Sequence, residues 1–359
     1  MMESNDIIRY RLYNQQIAGT KFRKPEEIVE CLCAVQAQDY SGGLWGVGLR
    51  LPGSTLVDIE KALIDRKIIR TWPMRGTLHF VPAQDARWML DLLTPRVIRR
   101  SARRYKELGL NDEIFRRSEG LISQALAGGR QLTREAMYDV LARGGINPEG
   151  QRSYHILGYL AQKGVICLGV REGKQQTFVL FDEWVADSRR LERDEALAEI
   201  ARRYFISHGP ATLQDFVWWT GLAAAEAKAG LEMVKQELMQ EIVDGKSYWF
   251  PPSEPVLEGM SPIACLLPNF DEYMIGYKDR SAMFPAAYSG KLAPRGNIAF
   301  NYTIIINGIT VGGWRKESRN DRVVVRTKLF RPLDGAEKDA LSMAVDRYGE
   351  FLGVAGSLS

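Results

Sequence analysis

Cysteine is scarce in this chain: four thiols (Cys31, Cys33, Cys167, Cys265) in 359 residues. That number cannot staple a fold of this length, so a disulfide framework is excluded and reduced thiols are expected. Histidine is scarcer still, with His79, His155 and His208 far apart in sequence. Cys31 and Cys33 lie two positions apart on a helical stretch, about 200° from each other, and cannot share a metal without distortion. No metal site is expected. Phosphate loops of the GxxxxGK[ST] type, HExxH, GxSxG and a GxGxxG opening a helix are all missing, which removes the commonest nucleotide-cofactor, metalloprotease and serine-hydrolase chemistries. No apolar run approaches the roughly 18 residues of a membrane span. The N-terminal MMESNDIIRYRLYNQQ has no basic stretch followed by an apolar one, so no export signal is read and a cytoplasmic protein is expected. Charge of one sign is also lacking: 48 Lys and Arg stand against 44 Asp and Glu, a net of +4. An anionic partner must therefore be argued from where the charges cluster.

What is present is a repeated layout. Residues 113–127 have helical apolar spacing, Thr133 can cap a helix ending at Gly144-Gly145, and 150–163 form a third helix stopping at Gly164. VICLGV and QTFVLF then read as a hairpin. Three helices and a hairpin in about 70 residues is the pattern of a winged helix, a helix-turn-helix variant. It recurs at 190–252, with Thr212 as cap and Gly221 as stop, and more loosely at the N-terminus. There IIRYRLYNQQ, PEEIVECLCAVQ and STLVDIEKALID are helical, KIIRTWPM and GTLHFVP are strands around Arg75-Gly76, and QAQDYSGGLWGVGLRLPG is an extra segment. From Pro262 onward short β-rich runs take over, with Asn307-Gly308 as the strongest hairpin signal, followed by a closing amphipathic helix.

The expected fold is α+β and helix-rich. It comprises three tandem winged-helix modules, the first within residues 1–95 and carrying the Gln-x-Gln segment described below. A basic helix and the second module occupy 96–189, the third 190–258, and a small antiparallel β-domain with a closing helix 259–359. The proline-rich stretch 251–262 is the expected boundary.

Charge does cluster in LLTPRVIRRSARRYK (92–106), which has six basic side chains and no acid. Arg96, Arg99, Arg100, Arg103 and Arg104 follow helical spacing, a single stripe of guanidinium groups suited to a run of phosphates. Val97, Ile98, Ala102 and Tyr105 are left for an opposite, packing face. Arg152 opens the third helix of the middle module, where such helices usually meet base edges. The corresponding helix of the last module begins with alanines and an acid, a poor DNA reader.

The remaining unusual feature is Cys33-Ala34-Val35-Gln36-Ala37-Gln38-Asp39-Tyr40-Ser41-Gly42-Gly43. Gln36 and Gln38 would splay apart inside a helix, but where the chain becomes extended both amides can face one cavity. By itself this is more often a polar junction between helices. Asp39 is read as a cap for the next helix, with orientation of a neighbouring amide as its other role. The segments VQAQDYSGGLWGVGLR (35–50), RTWPMRGTLHFVPAQDARWML (70–90), LLPNFDEYMIGYKDRS (266–281) and VGGWR (311–315) resemble those of the bacterial winged-helix DNA glycosylases of the AlkZ and YcaQ type, from end to end of the chain. The resemblance implies three tandem winged helices plus a C-terminal β-domain, and excision of N7-alkylated purines, crosslinked ones included, from duplex DNA. Gln36-Ala37-Gln38 matches the Gln-x-Gln signature of the AlkZ branch, so the resemblance implies that Gln36 and Gln38 contact the water that attacks C1′. No lysine stands in that motif, so no Schiff-base step is expected. The expectation is a monofunctional glycosylase acting as a monomer, with no cofactor and no membrane. The rival readings are a non-enzymatic tandem winged-helix regulator and a protein-interaction module. Trp45, Trp72 and Arg75 are read as packing and turn residues, and Asp271, Asp279 and Arg280 as structural ion-pairing groups.

Overall fold

The computed structural model describes residues 4–19, 21–253, 255, 262–288, 302–319 and 321–359. Two compact units emerge, one from residues 1–60, 197–219 and 223–359, the other from 61–196 and 220–222.

The chain begins with α1 (Ser4–Asn14) and α2 (Pro25–Leu32). Pro25 sits in the first turn, where a missing N–H breaks no helical bond. Cys33, at φ 65°, ends α2. An extended stretch with β1 (Val35–Gln36) follows, then α3 (Tyr40–Gly48). Nothing in the sequence pattern announces α3, because Gly42, Gly43, Gly46 and Gly48 each cost about 1 kcal/mol in a helix relative to alanine. Tertiary contact overrides that cost. Leu44, Trp45 and Val47 are buried, and a Cβ on Gly48 would lie 2.3 Å from the Phe351 ring, so only glycine permits this approach.

After α4 (Leu56–Ile64), β2 (Ile68–Met74) and β3 (Thr77–Pro82) form a hairpin. Its turn places Arg75 and Gly76 at φ 54° and 74°. The long α5 (Ala86–Glu107) leads to α6 (Asp112–Leu126), β4 (Leu132–Thr133), α7 (Arg134–Arg143), α8 (Arg152–Gln162), β5 (Ile166–Leu168), β6 (Thr177–Leu180) and the one-turn α9 (Phe181–Trp184). Thr133 caps α7 as expected, accepting from the Ala136 N–H. The strands of this unit pair antiparallel in the order β3-β2-β5-β6-β4. Its core joins Trp72, Tyr105, Phe115, Ile122, Leu141, Ile156, Leu160 and Phe178.

Next come α10 (Arg193–His208), α11 (Leu213–Thr220), α12 (Ala224–Val234) and the hairpin β7 (Met239–Val243) with β8 (Lys246–Phe250). Thr212 accepts from the Asp215 N–H at the start of α11, and Gly221 beyond its end has φ 71°. The last part holds β9 (Ala264–Leu267), the one-turn α13 (Glu272–Ile275), β10 (Thr303–Ile306), β11 (Ile309–Ser318), β12 (Arg322–Leu329), α14 (Gly335–Leu352) and β13 (Ala355–Leu358). Asn307 and Gly308, at φ 48° and 79°, make the expected tight turn between β10 and β11.

The expected antiparallel domain needs a correction. The sheet order is β13-β12-β11-β10-β9, and β13 runs parallel to β12. α14 is therefore a crossover between two parallel strands rather than the closing element, because same-direction strands need a helix-length connection. β13 escapes a pattern reading since AGSL has little β preference. Close packing against α14 holds it: a Cβ on Gly356 would lie 2.4 Å from the Val345 carbonyl oxygen. Most of the proline-rich stretch 251–262 lies outside the described residues.

Candidate active site and nucleic-acid interface

Between α2 and α3 the backbone is extended only at β1, Val35–Gln36, and bends at Gln38 and Asp39 before α3 begins. Ala37 is fully buried, Gln36 is 7% exposed and Gln38 is exposed. One amide thus sits at the floor of the segment and the other at its rim.

Beneath them lies a carboxylate that sequence reasoning did not single out. Glu272, fully buried at the start of α13, accepts the Gln36 main-chain N–H on Oε1 at 2.9 Å and the Trp219 indole N–H on Oε2 at 2.9 Å. The His208 ring, also fully buried and stacked on Tyr204, lies 3.6 Å from Oε2. Burial pulls the His208 pKa below that of a free histidine, against the opposing pull of Glu272. The only sequence signal for Glu272 was its place in the 266–281 segment, since a glutamate is seldom fully buried. Glu272→Gln is not conservative here. Two N–H donors converge on two acceptor oxygens, and an amide offers one acceptor and a competing donor. The variant is expected to lose about 1–3 kcal/mol of stability, read from urea unfolding midpoints.

Asp39 caps α3, as its position suggested, accepting from the Gly42 N–H at 3.1 Å and the Ser41 hydroxyl at 3.0 Å. It also receives the Tyr302 hydroxyl at 2.6 Å. Burial pushes its pKa up, but the hydrogen bonds from Tyr302, Gly42 and Ser41 prevail and hold it below the usual carboxylate range. Asp39 is therefore ionised at neutral pH, one residue from Gln38.

The scaffold under this segment is the Arg50–Asp271 pair, both side chains wholly buried. Arg50 Nη1 and Nη2 each donate to one Asp271 oxygen at 2.8 Å. The remaining donors reach the Gly46 carbonyl, the Gln15 carbonyl and the Gln15 amide oxygen. All five guanidinium N–H groups are satisfied. Trp45 is a core residue, 4% exposed, donating to the Leu266 carbonyl. Asp279 pairs with Lys246, and the Arg280 Nε–H goes to the Met274 carbonyl, so Asp279 and Arg280 serve separate partners.

The arginine stripe lies in the other unit, on α5. Arg99, Arg100, Arg103 and Arg104 are exposed and Arg96 is half-buried. Tyr105 is buried and Val97 and Ile98 are partly so, but Ala102, expected on the packing face, is exposed. Arg103 and Arg104 both reach Glu107, one residue past the acid-free window, and Arg104 also donates to Gln151. Among the described residues no ion pair occupies Arg99 or Arg100. Exposed pairs such as those on Glu107 are worth at most about 1 kcal/mol and exchange readily for phosphate. Arg152 differs. Its guanidinium donates to the main-chain carbonyls of Leu108 and Asn147, which fastens the start of α8 to the end of α5. Trp72 is a core side chain of β2, and Arg75 occupies the β2–β3 turn, as read from the sequence.

A sequence model of the AlkZ-like DNA glycosylases matches residues 29–351. The chain belongs to that family. Its members are DNA glycosylases, enzymes that hydrolyse N-glycosyl bonds. A curated relative, the interstrand DNA cross-link repair glycosylase of Streptomyces sahachiroi, is 26% identical over 365 positions, covering 94% of this chain and 95% of the relative. The solved structure of Streptomyces sahachiroi DNA glycosylase AlkZ superposes with a TM-score of 0.78 at 22% identity, covering 100% of this chain and 99% of that one. That likeness establishes the shared α+β fold. Family membership favours the enzyme over the regulator and the interaction module. Among the described residues no helix is long and apolar enough to cross a membrane.

Proposed function

We propose that this chain is a monofunctional DNA glycosylase that removes N7-alkylated purines, interstrand crosslinks among them, from double-stranded DNA. In this reading Gln36 and Gln38 hold the attacking water, Asp39 orients the rim of the site, and Arg96, Arg99, Arg100, Arg103 and Arg104 form the basic surface that meets DNA, with Arg152 adding its charge while it braces α8 against α5. It works as a cytoplasmic monomer without a metal or nucleotide cofactor. The observation that carries this is the Gln36-Ala37-Gln38 segment leaving β1, with Gln36 buried, Gln38 exposed and the ionised Asp39 next in the chain.

An amide is too weakly basic to take a proton early in the reaction. The substrate removes that need. Alkylation at N7 makes the purine cationic, so when the C1′–N9 bond breaks its electrons neutralise the base and no acid is required. What remains is to place a water at C1′ and to stabilise an oxocarbenium-like sugar. Amide oxygens accept the water's hydrogen bonds and present partial negative charge, and the Asp39 carboxylate adds to that field. Ordinary purines, whose departure needs protonation, are spared by this chemistry. The cross-link repair activity named for the Streptomyces relative supports extending the substrate to crosslinked bases.

The element order α6–β4–α7–α8–β5–β6 supports a winged helix at 96–189, and α10–α11–α12–β7–β8 supports one at 190–258. With a looser module at 1–95 and the β-domain at 259–359, they complete the proposed division of the chain.

The direct test is duplex DNA carrying one N7-methylguanine. Strand breaks at the lesion after mild alkali support excision; binding to this duplex and to a crosslinked one without any breaks refutes it. For the basic surface, Arg100→Glu combined with Arg104→Glu is expected to weaken duplex binding. It should also flatten the log–log salt dependence by about 2, roughly one for each phosphate no longer neutralised. Fluorescence anisotropy across a salt series checks both, and unchanged affinity would remove α5 from the interface.

A further inference from the structure

A concave site lies wholly within the unit that carries α5. The cavity, about 280 Å³, opens between the β2–β3 turn, the side of α5 that carries Val97, Arg100, Ser101 and Tyr105, and the face of α8 turned toward it. This is near the lower end of ligand pockets, roughly 300–1,000 Å³. Its walls combine three kinds of group. Trp72, Tyr105, Tyr154 and Tyr159 supply aromatic surface, and Tyr154 is 49% exposed at the mouth. Arg75 and Arg100 supply guanidinium groups. At the far end of α8, Gln162 supplies an amide that is 8% exposed and whose Oε1 has no hydrogen-bond partner. A buried acceptor left without a donor is costly unless a ligand provides one.

Arg75 is held in place rather than left to wander. His79, fully buried, has Nδ1 at 2.9 Å from the Thr77 carbonyl and Nε2 at 3.2 Å from the Arg75 guanidinium. A proton on Nδ1 leaves Nε2 as the acceptor for an Arg75 N–H. His155, on the cavity wall, has its pKa held below that of a free histidine, first by burial and then by the nearby Arg104 charge.

We infer that this cavity binds a nucleotide: an unstacked base against Tyr154 and its aromatic neighbours, the base edge on the Gln162 amide, and the phosphate on Arg75 and Arg100. Aromatic side chains, one amide and two guanidinium groups around a single cavity match the face, edge and anion of one nucleotide. The nucleotide comes from a DNA strand or from free solution. The strand source rests on the proposed DNA-repair reading, whereas the cavity itself does not.

The test compares a fully paired duplex with one carrying a single bulged 2-aminopurine nucleotide, by anisotropy and by the probe's own fluorescence. Wild-type protein is expected to bind the bulged duplex about tenfold more tightly and to quench the probe, as stacking of one base on an aromatic ring predicts. Tyr154→Ala, at an exposed position, and Gln162→Leu should each abolish the preference while leaving affinity for the paired duplex unchanged. Arg75→Asn, which retains a residue tolerant of the turn's positive φ, should weaken it. If no bulge preference appears but dGMP binds in a Tyr154-dependent way, the cavity stands and its ligand is the free nucleotide. Absence of both, or a preference that survives Tyr154→Ala and Gln162→Leu, overturns the inference. Excision of N7-methylguanine, followed in parallel, separates the two readings. Excision without bulge or dGMP binding removes the cavity's role alone; bulge binding without excision removes the glycosylase reading alone.

Discussion

Gln38→Ala is expected to lower the excision rate on N7-methylguanine about 100- to 1,000-fold, the usual loss when one preorganised group at a reacting centre is removed. Affinity for the same duplex should be nearly unchanged. Gln38 is exposed and just precedes the helix capped by Asp39, so truncation leaves no cavity and the fold is spared. Gln36→Ala should cost a similar factor for a different structural reason. The bond from this residue to Glu272 uses the main-chain N–H and survives the substitution. What is lost is the side-chain amide at the floor of the segment. Gln38→Glu is the informative companion, since it keeps an acceptor oxygen and adds negative charge near the sugar cation. It should retain far more activity than alanine. Single-turnover excision on a defined lesion measures all three. Wild-type rates in both alanine variants would end the two-glutamine mechanism, whatever the fate of the family assignment.

The largest expected effect on stability is at Arg50. Arg50→Met removes the only cation bonded to a wholly buried Asp271 carboxylate among the described residues. Breaking a buried pair from one side typically costs about 3–5 kcal/mol, because the remaining charge has neither partner nor water. The Gln15 amide and two main-chain carbonyls lose donors at the same time. A double variant, Arg50→Met with Asp271→Asn, should recover part of the loss. The orphaned charge is gone, and Asn can still cap α13 through its carbonyl oxygen, as Asp271 does on the Tyr273 N–H. Urea unfolding of the single and double variants gives the comparison. A double variant no more stable than the single one would show that missing hydrogen bonds, rather than stranded charge, dominate. Since Arg50 follows α3 and Asp271 precedes Glu272, excision should fall in step with stability.

Much of the architecture was readable because local chemistry is consistent with it. Thr133 and Thr212 cap where hydroxyls should, Gly221 stops a helix, and Asn307-Gly308 turns a hairpin. Each is a short-range rule acting on a few neighbouring residues. α3 and β13 were not readable, since glycine-rich and weakly β-forming segments become regular only when another element packs on them. The acid-free arginine window was an artefact of where it ended: Glu107 stands one residue later and about one helical turn from Arg103 and Arg104. Arg152 looked like a base-reading side chain from its place at the head of α8, yet it is held by the carbonyls of Leu108 and Asn147.

The same division runs through the candidate site. Order along the chain alone determined the Gln36-Ala37-Gln38 motif, the Asp39 cap and the five-arginine stripe, since each depends on spacing within one short segment. Only the folded chain decided that Glu272, 236 positions away, would hold the Gln36 backbone, that Arg50 and Asp271 would meet in a dry interior, and that an unsatisfied Gln162 would face a cavity lined by Trp72, Arg100 and Tyr154. Buried polar groups find partners wherever tertiary packing brings them, and periodicity carries no information about pairings between segments so far apart.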